Sequence, residues 1–472
     1  MNIKTGFLPL LLALTAPTFA ATPDFSPMGF TTLDGGTTGG KGGAVVTPTT
    51  LEELKKYAED KTTPYVIRIT KEFNTGVSVN IDATGAVSAT GTTKTTYGDI
   101  IKVGSNKTLV GIGSSAFLNR IGLIIQTKSN IIVRNIRFSM KDVPIARTDE
   151  NKIVGWVNGA AKSLSDPDCI GMQADDTSYA ESARMTRNVW IDHCEFSNED
   201  PSVMTDVDRY DGLVDGKNNT SNVTVSWCYF HDHHKASLMG KGNSDDYDRH
   251  ITYSHNYFKN ILSRLPLIRF GKVHMLNNYM VTSENGTNAR INSDVYIEGN
   301  HYEASKKPVF GKVSESGAAT FVNNNWVTCD RVPQVVLNAG QATGADPLSA
   351  SEEVLVGTFK PSSFYAYKAD AVAEVPTLVS TWSGVGKIST AEYDIPTGIA
   401  SVAEVPGAAA FVSQGRLHVD AVAGSPVRVH ALDGTLLYAG AVAVPGAALP
   451  TSLGKGVYLV RAVGLSRTVL VP

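Results

Sequence analysis

The chain has 472 residues, 42% of them hydrophobic and 18% charged, with a formal net charge of −3. That length allows a large core and more than one domain, and the composition excludes a disordered chain. A charge so near neutral gives no global attraction to a polyanion, so nucleic acid is not an expected partner, and an acidic ligand would need a local basic patch or a bound cation.

The N-terminus reads as an export signal. Lys4 supplies a positive charge, Phe7 to Leu14 form a short apolar run, and Thr18 and Ala20 suit the positions flanking a cleavage site. Residues 1–20 are therefore an expected signal peptide, cut after Ala20. The run is too short for a membrane span, and no later segment is long and apolar enough for one, so a secreted mature protein is expected.

From Ile131 onward the sequence repeats itself. VWIDHCEF (from Val189), VTVSWCYF (Val223), ITYSHNYF (Ile251), VHMLNNYM (Val273), VYIEGNHY (Val295) and ATFVNNNW (Ala319) align, with IIVRNIRF (Ile131) as a weaker copy. Later copies start roughly 22 to 28 residues apart, a solenoid period. Positions one and three are β-branched or apolar, and alternate residues of a strand share a face, so these should point inward. Position six is Cys194, Cys228, Asn256, Asn278, Asn300 and Asn324, and position eight is Phe196, Phe230, Phe258, Met280, Tyr302 and Trp326. The pattern predicts an all-β fold, a right-handed parallel β-helix with an asparagine ladder at a bend and an aromatic row inside. Cys169, Cys194, Cys228 and Cys329 lack the close pairing of a zinc site. An exported protein could join them as disulfides, but Cys194 and Cys228 occupy equivalent repeat positions and could simply stack.

Insertions around 141–165, 177–187 and 198–210 interrupt the repeat, and loops on one side of a solenoid usually build its binding face. The chemistry-bearing patches lie beside them: Asp166-Pro-Asp168-Cys-Ile170, Asp211-Gly-Leu-Val-Asp215, His233-His-Lys235, and Arg264-Leu-Pro-Leu-Ile-Arg269. Asp211 and Asp215 are four apart, so an extended segment would present both on one face, with Asp168 one coil earlier. Clustered carboxylates suit a hard cation such as calcium, although any one of them alone reads as a solvated turn residue. Lys235, Arg264 and Arg269 would complement carboxylates on a polymer, and Pro266 lets both arginines serve one face. His193, His233, His234 and His255 show no consistent ligand spacing and read as structural or peripheral, with His234 a candidate for a place near the cleft.

Residues 389–402, with Pro396 and Gly398, read as a linker. Residues 403–472 are poor in charge and read as short strands at Arg416 to Val419, Pro426 to Leu432, Val457 to Val463 and Thr468 to Val471, with a hairpin turn at Asp433-Gly434. This predicts a small β-sandwich-like domain with no catalytic constellation.

WIDHC, DGLVD, SWCYFHDHHK, ITYSHNYF and RLPLIRFGKVHMLNNY together resemble the pectate lyase superfamily, over about residues 26–388 of a β-helix domain spanning 21–388. The resemblance implies calcium-dependent cleavage of polygalacturonate by β-elimination, by a secreted and monomeric enzyme. It assigns calcium to Asp168, Asp211 and Asp215, with Asp166 similar to an additional acid of some members. It makes Arg264 the catalytic base and Lys235 and Arg269 the binders of substrate carboxylates, and treats Asp192 as structural. The segments GRLHV, VRVHALDG and GVYLVRA are similar to C-terminal sorting domains of the type IX secretion pathway, implying secretion machinery as a partner. A polygalacturonase would need paired carboxylates at glycosidase spacing. A non-enzymatic binding β-helix would not need the converging charges, and a lyase for methyl-esterified pectin would dispense with the acid trio.

Overall fold

The computed structural model describes residues 22–393 apart from 76–77, 82–89, 97, 144–145, 148–152, 158–159, 164–167 and 175–184, and residues 409–471 apart from 414–415, 421–422, 432–435, 452, 455 and 463–464. The chain divides into two units, Met1–Tyr393 and Asp394–Pro472.

In the first unit the sequence repeat is also the hydrogen-bonding register. Val189 pairs with Val223, Val223 with Ile251, Ile251 with Val273, Val273 with Val295, and Val295 with Ala319, all in parallel. These strands belong to an eleven-stranded parallel sheet running from Ala44–Val46 to Leu355–Val356. Positions one and three bury their side chains, as Val189, Ile191, Val223, Val225, Val273 and Met275 show.

The chain then bends at position five into the left-handed region: φ is 49° at His193, 50° at Trp227, 57° at His255, 50° at Asn277 and 63° at Gly299. That conformation is uncommon for side-chain-bearing residues, so the bend needs support. The predicted ladder supplies it. Asn256 donates its backbone N–H to Asn278 Oδ1 at 3.0 Å, Asn278 to Asn300 Oδ1 at 2.9 Å, and Asn300 to Asn324 Oδ1 at 2.9 Å. Each amide thus satisfies a buried backbone donor on the coil before it.

Past the bend, position eight forms the interior row. Phe138, Phe196, Phe230 and Phe258 stack with centroids 5.1, 4.9 and 4.7 Å apart, and Tyr302 stacks on Trp326 at 4.6 Å. Losing one such buried ring costs about 3–5 kcal/mol, so this row is a principal source of stability. The four cysteines are buried free thiols, with Cys194 and Cys228 occupying the ladder position in their copies.

A third parallel face, made of Asp99–Lys102, Ile121–Gln126, Ile170–Gln173, Val214–Gly216, Leu238–Met239 and Leu267–Arg269, closes each coil. The long strand Tyr279–Arg290 pairs with Tyr257–Ser263 at its start and with Leu267–Arg269 at its end, joining the second and third faces. The helix Leu51–Ala58, capped by the Thr50 side chain accepting from the Glu53 N–H, buries Leu54 and Ala58 against the first coils. The architecture is a parallel β-helix.

The second unit has an antiparallel pair, Ala409–Ser413 with Arg416–Asp420, and a four-stranded antiparallel sheet ordered Leu436–Ala441, Pro426–Ala431, Gly456–Ala462, Leu465–Val471. Leu417, Val419, Val427, Val429 and Val460 alternate inward to form its core. The expected turn at Asp433-Gly434 and the signal peptide lie outside the described residues. Among the described residues no helix is long and apolar enough to cross a membrane.

Candidate active site

Asp168 stands just before the strand Ile170–Gln173, and Asp215 lies in Val214–Gly216 on the next coil, where Ile170 pairs with Val214. Ligand oxygens of Asp168, Asp211 and Asp215 lie within 4.8 Å of one another. A fully extended Asp211–Asp215 segment would hold the two Cα atoms about 13 Å apart, so the extended geometry expected from the spacing is not what brings these acids together. The chain turns instead, and the strand begins only at Val214. Gly212 makes this possible: a Cβ there would meet Asp215 Oδ1 at 2.2 Å.

Asp215 is fully buried, and its Oδ1 accepts the Leu238 N–H at 2.8 Å. Asp215 Oδ2 and Asp168 Oδ1 are buried oxygens with no hydrogen bond. Lys217 partly offsets the negative charge, its Nζ 3.2 Å from Asp168 Oδ2 and 3.5 Å from Asp215 Oδ2. Burial pushes the Asp215 carboxyl up to about 6, with Lys217 opposing and Asp211 reinforcing the rise. Burial and then the Asp215 charge hold Asp168 well above the usual carboxylate range. Burial alone would depress the Lys217 ammonium, but Asp168, Asp215 and Asp211 override it and raise its pKa. The three converging carboxylates repel one another, and Asp168 and Asp215 keep buried oxygens that Lys217 leaves without a hydrogen bond. Such a donor set fits a hard divalent cation, which takes carboxylate oxygens at flexible distances.

Two of the predicted basic residues, Lys235 and Arg264, face Asp211 from later coils. Lys235 Nζ is 3.3 Å from Asp211 Oδ1 and 3.1 Å from Asp208 Oδ1, and Arg264 Nη1 is 3.9 Å from Asp211 Oδ1. Arg264 ends the strand Tyr257–Ser263 with φ 61°, and a new strand starts at Leu267 beyond Pro266. This break in alternation lets Arg264 and Arg269 act on one region. Burial, then Arg290 and Arg264, depress the Arg269 guanidinium, while its Nη1 donates to the Gly240 carbonyl at 2.8 Å. Arg290 lies beside Arg269 in register on the next coil and is paired with Glu315.

Sequence reasoning missed Lys217 and Asp208, whereas His233 takes the structural part expected of it. Lys217 is two residues beyond Asp215, hence on the same side of an extended chain, which was the available signal. His233 is buried. Its Nε2–H donates to the Asp211 carbonyl at 2.6 Å, and Asn198 Nδ2 lies 3.3 Å from its Nδ1. Burial brings its pKa down to about 4, so it stays neutral and braces the backbone behind Asp211. His234 sits at the rim, 3.2 Å from Asp208 Oδ1. Asp192 is a buried hub bonded to Arg134, His193 and Ser226, away from the acid cluster. Asp166 lies outside the described residues.

A cation-ready acid cluster on a parallel β-helix, with a lysine and an arginine against it, suits an enzyme or binder acting on an anionic ligand. The comparisons narrow this. Residues 2–388 match the family model for pectate lyase. A pectate trisaccharide-lyase of Bacillus licheniformis is 33% identical over 367 residues, covering 78% of this chain and 88% of that protein. Pectate lyase A of Emericella nidulans is 37% identical over 231 residues, covering 48% of this chain and 59% of that protein. The crystal structure of a pectate lyase from Bacillus sp. N165 in complex with trigalacturonate is similar with a TM-score of 0.54 at 25% identity, covering 77% of this chain and all of that one. The chain belongs to the pectate lyase family. It is a polysaccharide lyase that cleaves pectate.

Proposed function

We propose that the enzyme cleaves polygalacturonate by calcium-assisted β-elimination, with Asp168, Asp211 and Asp215 holding the calcium and Asp166 contributing a further carboxylate. The observation that carries this reading is the convergence of the three carboxylates, with ligand oxygens within 4.8 Å of one another and buried oxygens of Asp168 and Asp215 left without a hydrogen bond. Bound there, calcium would supply a Lewis acid that takes up charge from the uronate carboxylate and so makes the proton on carbon 5 easier to remove. Lys235 and Arg269 bind and orient substrate carboxylates.

Arg264 is the base. Arginine is ordinarily protonated at any working pH, so this role calls for alkaline conditions. Arg264 takes the carbon 5 proton, the C–H electron pair forms the double bond between carbons 4 and 5, and the bond from carbon 4 to the glycosidic oxygen breaks. The departing oxygen takes a proton from water, leaving a 4,5-unsaturated end. The test is turnover of polygalacturonate, followed by ultraviolet absorbance of unsaturated uronates, with and without a chelator. Chelation should abolish it and added calcium restore it; full activity in excess chelator overturns the calcium assignment.

The domain reading completes the proposal: residues 1–20 an export signal, 21–388 the catalytic β-helix, 389–402 a linker, and 403–472 a sorting domain handed to type IX secretion machinery, for a secreted monomer. The tail's GRLHV, VRVHALDG and GVYLVRA segments support it, as does the independent core of the second unit. A chain ending at Ile388 should keep its rate on soluble polymer yet remain in the periplasm of the native host. Normal release of that shortened chain refutes the sorting role.

A further inference from the structure

The loop that follows Gly240 turns inward and buries a charged pair. Arg249 is fully buried and Asp245 is 1% exposed, and Arg249 Nη2 bonds Asp245 Oδ1. Their remaining bonds go to backbone on three consecutive coils. Arg249 Nη2 donates to the Asn218 carbonyl at 3.1 Å and Nη1 to the Arg269 carbonyl. Asp245 Oδ2 accepts the Asn218 N–H at 3.0 Å and the Lys241 N–H at 2.7 Å. Asn218 directly follows Lys217, the cation between Asp168 and Asp215, and Arg269 in turn donates to the Gly240 carbonyl at 2.8 Å. Two glycines leave room for the arginine: a Cβ on Gly240 would meet Arg249 Nη1 at 2.7 Å, and one on Gly271 would meet Arg249 Cγ at 2.5 Å.

We infer that Asp245 and Arg249 form a positioning clasp that sets the substrate-binding Arg269 at a fixed distance from the Asp168–Asp215–Lys217 cluster. A buried ion pair is weak evidence for stability, because well-packed apolar residues often replace one without loss. What this pair provides that apolar residues cannot is a set of bonds to Asn218, Lys241 and Arg269 at once. It spans the coils that carry the cation cluster and the substrate arginine, and both groups must grip the same uronate chain. The inference rests on Arg269 binding substrate.

The double variant Asp245→Leu/Arg249→Met removes both charges together and leaves neither buried without its partner. It should fold with a lowered melting temperature, because the backbone groups of Asn218, Lys241 and Arg269 lose their partners, while kcat/KM on polygalacturonate falls by roughly 100-fold, the cost of about an ångström of misplacement at a site. Most of that loss should appear in KM, measured with calcium saturating. Wild-type kcat and KM in the folded double variant would overturn the clasp and leave it a packing feature. If the double variant does not fold, Arg249→Lys decides: it keeps the pairing charge but gives up at least one carbonyl bond, and it should raise KM by about ten-fold, whereas an unchanged KM overturns the inference. Arg269→Lys, measured alongside, separates the two failures, because a normal KM there removes substrate binding from Arg269 itself.

Discussion

Replacing Gly212 by alanine tests the acid cluster through sterics alone. Gly212 does not have a positive φ, so alanine suits its backbone and no strain is added there. The new methyl would stand 2.2 Å from Asp215 Oδ1 and 2.6 Å from Asp215 Cγ. Ordinary contact requires the carboxylate to retreat by about an ångström. Asp215 is fully buried and its Oδ1 takes the Leu238 N–H, so retreat stretches or breaks a hydrogen bond to a charged acceptor, worth about 1.5–3 kcal/mol. In calcium affinity that is roughly a 10- to 100-fold loss, since the displaced oxygen belongs to a proposed ligand. The assay is the initial rate on polygalacturonate as a function of free calcium, with folding checked by circular dichroism. The half-saturating calcium concentration should rise by that factor while the rate at saturating calcium recovers in part. An unchanged calcium dependence would refute the argument that Gly212 folds Asp215 back into the cluster.

Arg264→Lys shortens the reach of the proposed base and should lower turnover by about 100-fold with calcium binding little changed, and near-normal turnover would move the base elsewhere. Asn278→Ala removes an amide that accepts from Asn256 and donates to Asn300 Oδ1 and the Tyr253 carbonyl, leaving buried groups unpaired. It should cost about 3 kcal/mol or more, read as a lower urea midpoint at unchanged slope. His231 is depressed by burial, but Glu195 and Asp232 more than reverse this and raise its pKa. The charged pairings therefore add stability below about pH 6.5, and that contribution is lost as pH rises through the raised folded value. His231→Gln should lower the melting temperature at pH 5.5 and leave it nearly unchanged at pH 9; equal effects at both pH values would contradict the ion pairing.

The β-helix was legible because its three rows recur together in each copy, and in a parallel solenoid that alignment is the hydrogen-bonding register itself. The first coils escaped notice for the same reason. Leu118 pairs with Phe138 and Phe73 in the interior row where later copies carry an aromatic, and no ladder asparagine marks Lys107–Gly111. The bend column was hidden too, since His193, Trp227, His255, Asn277 and Gly299 share a backbone conformation and no side-chain chemistry. At the site, the individual acids and bases could be picked out, but their convergence depends on turns that spacing does not encode. Four residues between Asp211 and Asp215 suggest one face of an extended strand, and the observed cluster requires the opposite, a chain folded back at Gly212. Asp245 and Arg249 show the limit most clearly. They fall in GKGNSDDYDRH, a polar, charged run that reads as an exposed loop, yet the pair is buried. Such a run can turn inward only where backbone groups on neighbouring coils meet its charges, and those partners come from 218, 241 and 269, positions brought together by the stacking of the coils. The glycines at 240 and 271 were the one local sign, each marking a place where a side chain would occupy the arginine's space.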